Sequence, residues 1–415
     1  MNDLRVKTLA ALILSGVTAG LTGFLLTAVL HYVQAFFYSG GMNGDIPFRE
    51  MVETVPPLHR LAVLLLCGAA AGIGWFLIHR YGAPLVSVKN AVLHPEQGMP
   101  FLTTLCHGML QIVTVAMGSP LGREVAPREV SAAFAVQWIR FFRVDSEAKK
   151  LVMACAAGAG LAAVYNVPIA SVFFILETLL MDWRPITVAA AVVTCGTAVY
   201  VVRLGLGDLV QYPLPQTDVN SALIVWAFCM GPVIAAAVTL FEKSLNHAAP
   251  VSHQKISSIA ASIGLFGLIG LAAMAFPEIL GNGKAGNQLS FTCSIGWSYA
   301  LGLFAAKWAA VWLASRAGAY GGRITPTMML GGMLALSSVS AWNAVLTPVP
   351  AGSAALVGAA VFLGLSQKMP LTAAVFLIEL SRYSPAYLFP VCVCLGTAMT
   401  AQMYIKKYWH GSCHV

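Results

Sequence analysis

The stretch Gly118-Ser-Pro-Leu-Gly-Arg-Glu124-Val-Ala-Pro127-Arg-Glu129 holds the residues whose types and order best suit ion chemistry. It follows one apolar run and leads into another, which places Glu124 at membrane depth. An ionised side chain there costs about 2.5–3.5 kcal/mol on insertion scales and is kept only where it does something. Pro127 suits the start of a helix, because its missing N–H is one that the first turn cannot use. Ala126 before it has no side-chain acceptor, so the first N–H groups of that helix are left for another partner. Free N–H groups at the positive end of a helix dipole hold anions. A carboxylate beside such a site occupies it when ionised. It leaves when protonated, or when an external anion displaces it. Glu124 is therefore read as a gate that couples protons to an anion, with Gly122, Arg123 and Val125 as the neighbouring anion-site residues. The competing reading is a loop outside the membrane in which Arg123 or Arg128 pairs with Glu124.

Other residues of this kind are few. Thr325 before Pro326 reads as an N-cap that puts a hydroxyl at a second helix mouth. The segment Gly82-Ala83-Pro84-Leu85-Val86-Ser87 reads as the opening of a third. Glu177 and Glu379 lie near the ends of short apolar segments, with Arg184 and Arg382 close by, and read as snorkelling or loop-paired acids. The nine histidines are mostly scattered at segment edges, and the nine cysteines include no CxxC pair, so they read as small buried hydrophobes. His410, Cys413 and His414 read as a frayed polar terminus. No cofactor, metal or catalytic constellation is expected, and the chain is read as a non-enzyme.

The elements that must position these residues follow from composition. Of 415 residues 58% are hydrophobic and 10% charged, against about 25% charged in a soluble domain. That excludes a water-soluble enzyme, and disorder as well. The net charge of +8 does not indicate nucleic acid, because no basic run carries interleaved aromatics. Lys and Arg fall at segment edges instead, as in cytoplasmic loops. Nearly uncharged runs cover roughly 8–30, 61–78, 97–122, 151–176, 185–202, 219–241, 256–277, 285–306, 324–367 and 383–405. Several approach the ~20 residues that span a bilayer. The first is too long for the core of a secretion signal, and Arg5 and Lys7 hold its start inside. Lys406 and Lys407 do the same for the other end, so both termini are expected in the cytoplasm. The run 151–176 is split by Pro168, 324–367 is too long for one helix, and Pro370–Leu380 is too short to span. Broken helices of this kind belong to transporters, where protein or water satisfies the freed backbone.

The chain also repeats itself. Gly160–Glu177 aligns with Phe362–Glu379, each with Pro nine residues before Glu, at an offset of 202 residues. Gly122-Arg-Glu-Val-Ala-Pro127 and Gly322-Arg-Ile-Thr-Pro326 form a looser pair in matching order. A single transmembrane domain of two inverted halves, approximately 30–205 and 220–405, is expected, with the site between them near the midplane.

Together these residues resemble the CLC chloride channels and proton-coupled anion exchangers, over nearly the whole chain. Gly122-Arg-Glu124 resembles the family's Gly-Arg/Lys-Glu-Gly-Pro gate motif. Ala157–Glu177 is similar to its small-residue helix, Asn-x-Pro and following short helix. Pro277-Glu-Ile-Leu-Gly-Asn-Gly resembles a Pro-x-x-Leu-Gly-x-Gly loop. Lys307 followed by Gly318-Ala-Tyr-Gly-Gly-Arg-Ile-Thr-Pro326 resembles the family's lysine helix and Gly-Gly-x-x-x-Pro loop. The resemblance implies an all-helical inverted repeat and a homodimer with one pathway per subunit. Departures narrow it. Ala83 stands where the central serine of a Gly-Ser-Gly-Ile-Pro loop belongs, and Thr178 where chloride exchangers carry an internal proton-transfer glutamate. The gate reads Glu-Val-Ala-Pro. This set is similar to the fluoride-exporting branch, which implies fluoride export coupled to proton entry across a bacterial inner membrane. Glu124 would be the gate and proton carrier, with Thr325 and Tyr404 as side-chain contacts and Tyr408 the alternative tyrosine. A chloride or other halide exchanger, or an uncoupled channel, is the second reading.

Overall fold

The structure is a computed structural model that describes residues 2–39, 46–214 and 218–411. It is all-helical; among the described residues the one strand-like contact is a single bridge between Gly122 and Gly322. Among the described residues, eight helices are long and apolar enough to cross a membrane. Their outer faces carry side chains such as Phe36, Tyr200, Leu204 and Phe228, each more than 60% exposed, which is the surface that lipid would cover. Helices satisfy this environment because every backbone N–H and C=O is paired within the segment.

Four of the longer apolar runs are broken where Gly, Pro or polar residues fall. Residues 97–122 become the helix Phe101–Ala116 and a buried loop. Residues 151–176 split after Tyr165, where Asn166 takes a left-handed conformation (φ 60°) before Pro168 opens a short helix. The run 285–306 divides into Lys284–Phe291 and Trp297–Arg316. The run 324–367 divides into Ile324–Asn343 and Ala351–Ser366. The helix Ser146–Tyr165 is rich in Ala and Gly because it runs through the interior: most of it is buried, whereas Pro57–Tyr81 keeps a broad outer face. Small side chains let backbones approach. A Cβ on Gly160 would lie 2.4 Å from the Pro127 carbonyl oxygen, so this helix and Val125–Phe142 touch backbone to side.

Packing is paired. Asn2–Tyr38 packs on Pro185–Leu206, and Ser221–Asn246 on Leu388–Gly411; Pro57–Tyr81 packs along Ser257–Ala275. Across the middle, Glu177 accepts the N–H groups of Leu371 (3.0 Å) and Thr372 (2.8 Å). Reciprocally, Glu379 accepts those of Ile169 (3.0 Å) and Ala170 (2.7 Å). Each acid caps the short proline-initiated helix that the other ends. This corrects the expectation that both snorkel or pair with nearby arginines: the four unpaired N–H groups at each helix start are stronger partners at this depth.

The loops beneath the site are tied by Lys307, which is fully buried. Its ammonium donates to the carbonyls of Ile279 and Gly281, both at 2.8 Å. Gly281 N–H in turn donates to Gly118 O at 3.1 Å. The Pro277–Gly283 turn thus holds the loop that leads to Glu124. Lys307→Met keeps the side chain's length and removes both charged hydrogen bonds. It is expected to destabilise the protein by about 3 kcal/mol, seen as a lower thermal unfolding midpoint in detergent. An unchanged midpoint would show that the ammonium is not what holds this loop.

Candidate functional site

Glu124 stands directly before the helix Val125–Phe142 and is fully buried. The helix starts at Val125, two residues earlier than the expected start at Pro127. Pro127 is therefore its third residue, still within the turn that lacks N–H partners. The Glu124 side chain does not cap this helix. It reaches across to a helix 200 residues later in the chain, where Oε1 accepts the Ile324 N–H at 2.8 Å. Oε2 accepts the Tyr165 hydroxyl at 3.0 Å. Ile324 is the first residue of Ile324–Asn343, and Arg323 before it supplies no side-chain cap. The carboxylate thus fills the anion seat at the start of a helix.

The two helix starts are brought together by glycine. Gly122 N–H donates to Gly322 O at 2.6 Å, and Gly322 N–H returns a bond to Gly122 O at 2.8 Å. The carboxylate lies on this bridge. A Cβ on Gly322 would come within 1.8 Å of Glu124 Oε1, and one on Gly122 within 2.1 Å of Oε2. No other residue type leaves room for it.

Thr325 was expected as an N-cap. It is instead the second residue of its helix, and its hydroxyl lies 2.8 Å from that of Tyr165. An ionised carboxylate can only accept, so Tyr165 spends its one proton on Glu124 and must accept from Thr325. The hydroxyls thus form a directed chain, Thr325 to Tyr165 to Glu124. Asn287 fixes the backbone behind it, donating to Thr325 O at 3.2 Å.

The remaining expected contacts lie elsewhere. Arg123 is buried, but its guanidinium donates to Val164 O at 3.3 Å and sits 5.6 Å over the Tyr165 ring, so it braces the tyrosine. Val125 is the first helical residue after Glu124. Ala83 is exposed, and its N–H goes to Thr103 Oγ1 at 3.1 Å; the short helix after it starts only at Val88, capped by Ser87. Tyr404 is 61% exposed on the outer side of Leu388–Gly411, which corrects its expected place beside the pathway. The side chain of Tyr408 lies outside the described residues. Helical phase decides the matter for Tyr404: it faces out of the bundle. The tyrosine at the carboxylate is Tyr165, which sequence reasoning passed over as an ordinary helix residue. Its signal was its position, the last residue of an Ala/Gly helix immediately before Asn166-Val-Pro168, where a side chain leaves the helix at the break. Thr178 lies in the last turn of the short helix and donates its hydroxyl to Phe174 O at 2.6 Å.

A buried carboxylate thus lies where two helix starts meet, held by a backbone N–H and a hydroxyl, in a polytopic helical protein. The chain belongs to the voltage gated chloride channel family, which it matches over residues 68–402. It is 24% identical over 417 residues to the H+/Cl− exchange transporter ClcA of Vibrio parahaemolyticus, covering 96% of this chain and 86% of that one. It is 25% identical over 423 residues to ClcA of Salmonella agona, covering 96% and 87%. Its fold is similar to that of a slow cyanobacterial Cl−/H+ antiporter, with a TM-score of 0.82 at 18% identity and 96% and 95% coverage. It is also similar to that of a CLC-type fluoride/proton antiporter, with a TM-score of 0.72 at 18% identity and 96% coverage of each chain.

Proposed function

We propose that this protein is a homodimeric proton-coupled antiporter that exports fluoride across a bacterial inner membrane, with both termini in the cytoplasm. Its two inverted halves run from approximately 30 to 205 and from 220 to 405. The reading is carried by the seat of the Glu124 carboxylate. Ile324 N–H and the Tyr165 hydroxyl are donors that an incoming anion can use in the carboxylate's place. Ionised Glu124 and the anion compete for them. Once protonated, the carboxyl is a weaker acceptor and yields the seat while carrying its proton. Anion and proton are thereby exchanged by one side chain.

Fluoride is favoured by three features of the chain. The gate reads Glu-Val-Ala-Pro, Thr178 stands where a second acid would be, and the Thr325 hydroxyl donates to Tyr165 and so orients that donor toward the seat. A small, strongly hydrated anion needs several such donors to replace its water. The competing anion is chloride, favoured by the chain's 24–25% identity to H+/Cl− exchange transporters. The deciding experiment loads proteoliposomes of the purified protein with fluoride or chloride and follows efflux with ion-selective electrodes while recording internal pH. Faster fluoride efflux with opposite proton movement is expected. Preferential chloride efflux would overturn the fluoride assignment, and anion efflux without proton movement would overturn antiport.

A further inference from the structure

A second acid lies on the helix that begins after Glu124. Glu129 is five residues on, about 7.5 Å along the axis. Its side chain is 13% exposed, and it forms part of the wall of a cavity of about 380 Å³. The same cavity is lined by His79, Thr104, His107, Tyr320 and the extended segment Pro84–Ser87. Gln111 Nε2 donates to Glu129 Oε2 at 2.9 Å, and His107 Nε2 lies 3.5 Å from the same oxygen.

The protonation state of His107 can be read from its other nitrogen. Trp75 Nε1 is 3.2 Å from His107 Nδ1. An indole N–H only donates, so Nδ1 must be the acceptor and the ring proton sits on Nε2, facing Glu129. Placing a proton on Nδ1 as well would set two donors against each other. Trp75 therefore keeps His107 neutral, and Glu129 is the member of the pair that can gain and lose a proton. Two buried oxygens near Glu129, Thr104 Oγ1 on the cavity wall and Gln111 Oε1 on the amide that bonds Glu129, have no hydrogen-bond partner among the described residues; polar groups in that condition are what hydrate a cavity. The other groups around Glu129 are Arg128 on its own helix, Tyr320 from the loop before Ile324, and His79 on the cavity wall, which pairs with His253 behind it. The rings of that pair stack at 5.2 Å, and His79 Nε2 lies 3.1 Å from the Tyr320 hydroxyl. Arg128 also interacts electrostatically with both Glu124 and Glu129, so the two carboxylates share one neighbouring cation.

We propose that Glu129 is a second proton site of this transporter, taking protons from the cavity and passing them through water to Glu124. A proton from solution binds a Glu129 carboxylate oxygen, leaves it for water, and ends on a Glu124 carboxylate oxygen; no other bond changes. The inference rests on the antiport reading above, and the test separates the two. Glu129→Gln keeps the size of the side chain and an oxygen that can accept from Gln111, and removes the titration. In proteoliposomes, with an anion gradient as the driving force, proton uptake is expected to slow at least 10-fold while anion flux persists, and Glu129→Asp is expected to recover much of it. Wild-type proton uptake should also vary with pH on the cavity side, and this dependence should flatten in Glu129→Gln. If Glu129→Gln moves protons at the wild-type rate, the second site is wrong and antiport stands. If proton and anion fluxes fall together, Glu129 is structural and the proposal fails. If the wild-type protein moves no protons under either anion gradient, antiport itself fails, and the relay with it.

Discussion

Glu124→Gln should yield a folded, membrane-inserted protein that still passes anions and no longer moves protons. The amide keeps an oxygen that can accept the Ile324 N–H, and Tyr165 can reverse its hydroxyl to accept from the amide nitrogen. Fold and seat are therefore preserved. What is lost is the one group at the crossing that can be charged in one step and neutral in the next. Removing a positioned proton carrier costs about 100-fold or more, so anion-driven proton uptake should fall to the leak of empty vesicles. A purified Glu124→Gln protein that still acidifies proteoliposomes under an anion gradient would show that the coupling proton travels by another route.

Gly322→Ala is expected to act on the same carboxylate from the opposite side. The atom that a Cβ would strike first is Glu124 Oε1, at 1.8 Å, with Cδ at 2.1 Å and Cγ at 2.7 Å. Those atoms belong to one flexible side chain, not to backbone. Gly322 is also absent from the left-handed positions of the chain, so alanine fits its backbone without strain. The bridge to Gly122 should hold, and the carboxylate should swing out of its seat. The expected result is a stable protein with an open gate, in which anion efflux is at least about 10-fold faster and proton coupling is largely gone. Efflux and proton movement recorded together would check this. Tight coupling at the wild-type rate would mean that the carboxylate does not rest on the bridge during transport. The contrast is Gly160, where the struck atom is the Pro127 carbonyl at 2.4 Å, a backbone atom that cannot step aside.

Much of this was legible from residues alone, and the limits have physical causes. Low charge and long apolar runs specify a helical membrane protein because hydrocarbon leaves the backbone few other choices. Pro168 and Pro370 mark helix breaks because proline cannot donate the N–H a helix interior needs. Glu124 stood out as an acid at membrane depth. Its partner did not, because the seat is formed by a residue 200 positions away, and only the Gly122–Gly322 bridge brings the two starts together. Tyr404 was misplaced and Tyr165 overlooked for a related reason. Whether a helical tyrosine faces the pathway or the lipid depends on rotation about the helix axis, which packing decides and local sequence does not. Glu177 and Glu379 were misjudged because nearby arginines are visible in sequence, whereas the open N–H groups of a facing helix are not.

The exchange between those two acids bears on how the chain comes to be folded. The helix that begins at Pro168 waits for Glu379, a partner made 210 residues later, and Glu177 stays without its seat until Leu371 and Thr372 exist. Neither half can close its own centre. The half synthesised first must sit in the bilayer with uncovered amides and a buried acid until the second arrives. Its completion is therefore closer to the assembly of two subunits than to the folding of one, and the connection between the halves serves to keep the second at hand.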